Sequence, residues 1–204
     1  MKFKLLYIAV LATVFLGCAV AQYETARTQG STAASPRIVS DDEAQSNVGQ
    51  AVITHRSDEF SGGQYLLLTN NYLPSLDSDV YTLGVGYDLN LGVYILRIDM
   101  VLHEWGFFEA ADWLIDGAPH RSEAILDPAR DVLRGSVAES VVFATDRPWL
   151  ERICRAKEVK MRLSGKRRSP TMTLSSANKQ SVCALLEAID AHTAPADTQE
   201  RAER

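Results

Sequence analysis

The run GVYILRIDMVLHEW, residues 92–105, constrains the fold more than any other stretch of this chain. Val93 and Ile95 on one side, and Tyr94, Leu96, Ile98 and Met100 on the other, keep both faces apolar until Arg97 and Asp99 interrupt one of them. A strand that is apolar on both faces has to lie inside a sheet with cover on each side. Shorter β-branched and aromatic runs surround it: AVITHR at 51–56, YLLLTNNYL at 65–73, DVYTLGVGYDL at 79–89 and SVAESVVFAT at 136–145. DWLIDGAPHR, at 112–121, reads as a hairpin, with Asp116-Gly117 supplying positive φ at the turn. LDPARD, at 126–131, reads as a loop.

After residue 145 the period changes. Thr145 or Asp146 is placed to cap a short helix with Pro148 in its first turn, and Trp149, Leu150, Ile153 and Cys154 fall on one face of it. EVKMRLSG then alternates, with Val159, Met161 and Leu163 inward and Lys160 and Arg162 outward. SGKRRSP is a turn, TMTL a returning strand, and Ser175 or Ser176 caps a last helix reaching about Ala191, with Val182, Leu185, Leu186 and Ile189 as its buried stripe. The expected fold is α+β: a β-rich domain of mostly antiparallel strands with two helices near the C-terminus.

The front of the chain specifies a compartment. Lys2 and Lys4 precede the apolar run of residues 5–16 and small residues follow, the order of an export signal. That run is about a dozen residues where a spanning helix needs roughly 20, so a removable signal over 1–21 is expected rather than a permanent anchor. Two cuts are open. Gly17 and Cys18 resemble the end of the bacterial lipobox, although Phe15 and Leu16 depart from its preferred aliphatic and small residues, and cleavage there implies a lipid on Cys18. Ala19 and Ala21 instead offer the small-x-small pair of the general signal peptidase, which would release a soluble periplasmic or secreted protein. Residues 22–50 are Ser, Thr, Gln, Ala and charge with little to bury, and read as a disordered tether able to reach on the order of 30 Å. The tether favours lipidation, and Ala19 after the cysteine resembles the outer-membrane sorting choice of Gram-negative bacteria. The folded domain is then expected over 51–192, with 193–204 a disordered tail.

Either cut leaves Cys154 and Cys183 as the only possible partners in the folded part, and an oxidising compartment favours a disulfide between them. Closing a loop of that length stabilises by roughly 3.5 kcal/mol on the chain-entropy model. It also requires the two helices to lie side by side, with their first and second turns in contact.

The succession DWLIDG, then ESVVFATDRPWLERICRAKEVKMRLSG, then LSSANKQSVCALLEAI resembles a module of bacterial envelope proteins: a Trp-bearing hairpin, a strand, a short helix, a two-strand ribbon and a closing helix. It covers residues 112–189 and implies a fold, with no established activity to transfer.

No motif points to catalysis, a metal or a cofactor. His103-Glu104-Trp105 lacks a second His one helical turn on, where Phe107 stands, and His55, His103, His120 and His192 have no ligand spacing. RGSVAES lacks the second Gly of a nucleophile elbow. Asp77 and Asp79 lack the longer oxygen-rich loop of a Ca²⁺ site. Gly62, Gly63, Gly84 and Gly86 lack the Lys of a phosphate loop and read as turns or bulges. Trp105, Trp113 and Trp149, with Tyr65, Tyr72, Tyr81, Tyr87 and Tyr94, read first as core; lining a groove beside paired carboxylates such as Glu104 and Glu109, they would suit a hydrolase or carbohydrate-active protein.

Charge is the less ordinary feature. Residues 147–168 hold nine Lys and Arg against Glu151 and Glu158, a net of +7 in a chain of net −5, so what remains after the signal is near −14. Lys160, Arg162, Lys166, Arg167 and Arg168 fall on one ribbon and its tip. They read either as a patch for an envelope protein or an anionic lipid, or as a solvated ribbon pairing with the chain's own acidic loops. Nucleic acid is a poor partner for an exported chain of sequence pI about 5.4. The expectation is a non-enzymatic cell-envelope protein, an outer-membrane lipoprotein facing the periplasm, that binds a partner protein or an anionic envelope component.

Overall fold

A computed structural model describes residues 38–39, 50–57, 62–75 and 78–194. The expected signal, Cys18, most of the tether, Asp77 and nearly all of the tail lie outside the described residues. Among the described residues the chain is β-rich, with mostly antiparallel strands and two helices. One sheet runs β1(Ile38–Val39), β2(Val52–Ser57), β3(Gln64–Thr69), β5(Val80–Asp88), β6(Val93–Leu102), β10(Ser136–Thr145), β9(Ala129–Leu133), with β4(Tyr72–Leu73) on β5. A smaller sheet runs β12(Thr171–Thr173), β11(Val159–Gly165), β7(Phe108–Ile115), β8(Ala118–Glu123). Helix α1 is Arg147–Arg155 and α2 is Ser176–Thr193.

β6 lies between β5 and β10 in the larger sheet, as its two apolar faces require. Leu96, Ile98, Met100 and Leu102 join a core shared by both sheets and both helices, while Ile95 on the reverse face packs with Tyr65, Leu67 and Val142 beneath Ile125 and Leu126. Arg97 on that reverse face is only 2% exposed, and its guanidinium lies 2.5 Å from Asp99. The buried Arg97 is thus paired with a half-buried carboxylate on its own strand, which is how a sheet interior accepts an arginine.

The Asp116-Gly117 turn forms as expected, with φ of 49° and 82°, the pair of positive values a two-residue hairpin favours. Asp146 caps α1 by accepting the Trp149 N–H, and Ser175 caps α2 in a reciprocal capping box with Asn178.

Three readings need correction. Residues 129–133, expected as loop, form strand β9 at the sheet edge; only Val132 and Leu133 there are aliphatic beyond Ala, and Val132 is 73% exposed, so no apolar alternation marked it. Ile38 and Val39, expected in the tether, pair in parallel with β2. YLLLTNNYL is two strands, broken at Asn70, whose φ is 57°.

The disulfide Cys154–Cys183 is present, with Cα atoms 5.4 Å apart. It joins the last turn of α1 to the middle of α2, not the first and second turns, because Cys154 stands one residue before the end of α1. At the start of α1, Arg147 makes a two-bond clasp to Asp190 at 2.6 and 2.8 Å.

Candidate functional site

The alternation of β11 points Lys160 and Arg162 away from the core, and the antiparallel register aligns them with their neighbours on β7 and β8. Arg162 lies opposite Asp112, and Asp112 opposite Arg121. On the same outer face Lys160 lies opposite Leu114, and Leu114 opposite Pro119. Together with Thr171 of β12 these side chains line a shallow groove of about 460 Å³.

Asp112 is the hub of this groove. It accepts from Arg121 Nη1 at 2.8 Å, from Arg162 Nη2 at 3.0 Å and from the Ser164 hydroxyl at 3.0 Å. The Arg162 guanidinium, with Arg121 and Ser164 behind it, holds the carboxyl below its ordinary value. A carboxylate so held stays ionised near neutral pH and is a poor proton donor. It is also the one carboxylate in the groove lining, against Lys160, Arg162 and Arg121, so the lining carries a net charge of +2. Leu114, 45% exposed, adds an apolar rim.

The ribbon residues divide. Lys160 pairs with Glu158 at 3.0 Å and Lys166 with Glu109 at 3.0 Å, both in solvent. Arg168 instead ion-pairs with Asp79, whose side chain is 2% exposed and also accepts from the His103 backbone N–H at 3.0 Å and contacts its ring Nδ1 at 2.8 Å. Burial pushes the Asp79 carboxyl up, but the bonds from His103 and Arg168 outweigh it, and the group titrates below its ordinary value. Arg167 lies over the Phe107 ring, 5.4 Å from its centre, with Arg130 at 5.1 Å.

The tip is not free. The Lys166 N–H donates to the Phe107 carbonyl at 3.3 Å and the Arg167 N–H to the Gly106 carbonyl at 3.2 Å. Gly165 is required at this junction, since a Cβ there would meet the Gly106 carbonyl oxygen. The loop that receives the tip is held from below by Glu139, which accepts the N–H groups of Gly106, Phe107 and Phe108 at 2.5, 3.0 and 3.3 Å. Phe107 has a φ of 55°, a conformation costly for a bulky residue, and the three bonds to one buried carboxylate hold it there.

Four of the eight Trp and Tyr candidates are interior, and Tyr72, Tyr87, Tyr94 and Trp105 are half-buried. Tyr65, Tyr81 and Trp113 are at most 1% exposed and Trp149 is 7% exposed, and the Trp113 and Trp149 rings meet edge-on with centres 4.9 Å apart. Glu109 is engaged by Lys166.

Asp112, Leu114 and Arg121 were not singled out by sequence reasoning. Their signal is strand parity: each lies one residue from an inward Ala111, Trp113 or Ser122, and parity marks a residue as outward without saying which outward residues meet. No protein-family model matches this chain, nor does any curated protein or solved structure, so the resemblance of residues 112–189 to an envelope module has no matched relative behind it.

Proposed function

We propose that this chain is an exported, non-enzymatic envelope protein, held at the outer membrane by a lipid on Cys18, whose domain binds an anionic group of an envelope component in the groove of the small sheet. The carrying observation is the lining of that groove, where Lys160, Arg121 and Arg162 outnumber the single carboxylate of Asp112 beside exposed Leu114. Asp112 holds both guanidiniums at the groove, and arginine is the side chain that phosphate and carboxylate groups favour. The apolar rim suits a ligand with a hydrocarbon portion, as an anionic lipid has. The disulfide fits an oxidising compartment.

The test has two arms. Intact mass of the mature protein reads the first: acyl chains on Cys18 support the anchor, and an N-terminus at Gln22 removes it. Co-sedimentation with vesicles of phosphatidylethanolamine containing 30% phosphatidylglycerol, a composition chosen for the assay and about that of a moderately anionic leaflet, reads the second. Wild type is expected to bind and to be released by salt, and Lys160→Gln with Arg162→Gln to lose most of that binding. Equal binding by the variant removes the groove from the proposal.

A further inference from the structure

The four histidines have no ligand spacing along the chain, yet the fold brings two of them together. His55 is on β2 and His192 in the last turn of α2, and their ring centres are 5.5 Å apart with the planes at 51°. Both side chains are exposed. His55 shares the inward-facing side of β2 with Ile53, the side that α2 covers, so the helix end reaches it from across the core rim.

From this juxtaposition we propose a two-histidine site for a divalent transition-metal ion that imidazole favours, such as Zn²⁺, bridging β2 to α2. A zinc ion about 2.0–2.1 Å from each ligating nitrogen lies roughly 3.2 Å from each ring centre, so two imidazoles at a tetrahedral angle have centres about 5 Å apart. The observed separation is within a few tenths of an ångström of that, a shift that exposed rotamers absorb.

The second observation concerns the tautomer. His192 Nδ1 lies 2.9 Å from the Ala188 carbonyl oxygen. A carbonyl only accepts, so Nδ1 carries the proton and the lone pair of the neutral ring is left on Nε2. Orientation of a ligating imidazole by a backbone carbonyl on its other nitrogen is the usual outer support of a histidine metal ligand. Among the described residues no group of three or more His, Cys, Asp or Glu surrounds a common point, so water completes the coordination. Such a site is of modest affinity, and it would tie the end of α2 to the sheet.

The experiment is calorimetric titration of the purified, chelator-stripped protein with Zn²⁺ alone, with thermal unfolding as the second readout. One ion per chain is expected, with a rise in Tm at saturating Zn²⁺, because a ligand that binds the folded state stabilises it by mass action. His55→Gln and His192→Gln are each expected to weaken binding by at least about tenfold, on the scale lost even when an outer-shell partner is removed. The same variants should lose the Zn²⁺-dependent rise in Tm while keeping the metal-free Tm, which separates loss of the site from loss of the fold. Long-range ¹H–¹⁵N spectra should move the Nε2 resonance of His192. Unchanged affinity in the double variant, or an unmoved His192 resonance at saturation, overturns the proposal and assigns the binding to other groups.

Discussion

Two carboxylates of this protein, Glu139 and Asp112, each collect several donors, and they do opposite things. The Glu139 side chain is fully buried and accepts three consecutive backbone N–H groups, with Arg130 3.4 Å away. Asp112 lies at the surface and accepts from two exposed arginines and a serine. Taking either carboxylate away leaves donors behind, but only those around Glu139 are cut off from water. The cost of losing a hydrogen bond depends on whether water can replace it. Glu139 is therefore a fastening for the backbone, and Asp112 an organiser of solvent-exposed side chains.

The sharpest way to break this comparison is Glu139→Ala. It leaves three N–H groups of the 106–108 loop and a positive-φ phenylalanine unsupported, and a loss of about 3–5 kcal/mol is expected in chemical denaturation, the range for stranding buried polar partners. A loss below about 1 kcal/mol would mean that the loop finds other acceptors.

Replacing both cysteines, Cys154→Ser with Cys183→Ser, should cost about 3 kcal/mol by freeing the unfolded chain. The reduced wild type should match the double variant, with the m-value as a check on the denatured state.

Arg168→Ala and Arg162→Ala then test whether the ribbon divides as its partners indicate. Arg168 serves the buried Asp79 and its removal is expected to cost about 2 kcal/mol, whereas Arg162, 58% exposed, should cost at most about 1 kcal/mol. Vesicle binding should follow the reverse order, falling with Arg162→Ala and holding in the folded fraction of Arg168→Ala.

The smallest effect is in pH. The Asp79 carboxyl titrates below its ordinary value of 3.8 in the folded protein, so its stabilisation is fully present above that value and is lost as the pH falls through the folded one. Asp79→Asn should accordingly be less stable than wild type at neutral pH and should lose less on acidification. Parallel acid limbs for the two proteins would mean that Asp79 contributes nothing through its charge.

Much of the architecture was legible from residue order because its signals are local. The alternation of Val159, Met161 and Leu163, the Asp116-Gly117 turn, and the caps at Asp146 and Ser175 each depend on a few neighbouring residues. β9 was missed because an edge strand with Arg130, Asp131 and exposed Val132 lacks an apolar face. The candidate site was legible by half. Lys160 and Arg162 were readable as outward residues of one strand, while Arg121 and Asp112 enter only through the register of β7 with β8 and β11. Arg168, grouped with the surface cations by its position in GKRR, is half-buried and pairs with the buried Asp79 instead. Glu139 carried a signal of its own: it has the parity of Val137, Val141 and Phe143, so a carboxylate was due to face the core.

The amino-acid order by itself determined the β-rich character, the two helices and the only cysteine pair available to the folded part, because backbone periodicity, capping and turn chemistry act within a few residues. Tertiary structure alone decided which charges neutralise one another, that one glutamate holds a loop about 30 residues away, and that His55 meets His192. Such pairings depend on which faces the packed sheets and helices bring into opposition, and no period within one element encodes that.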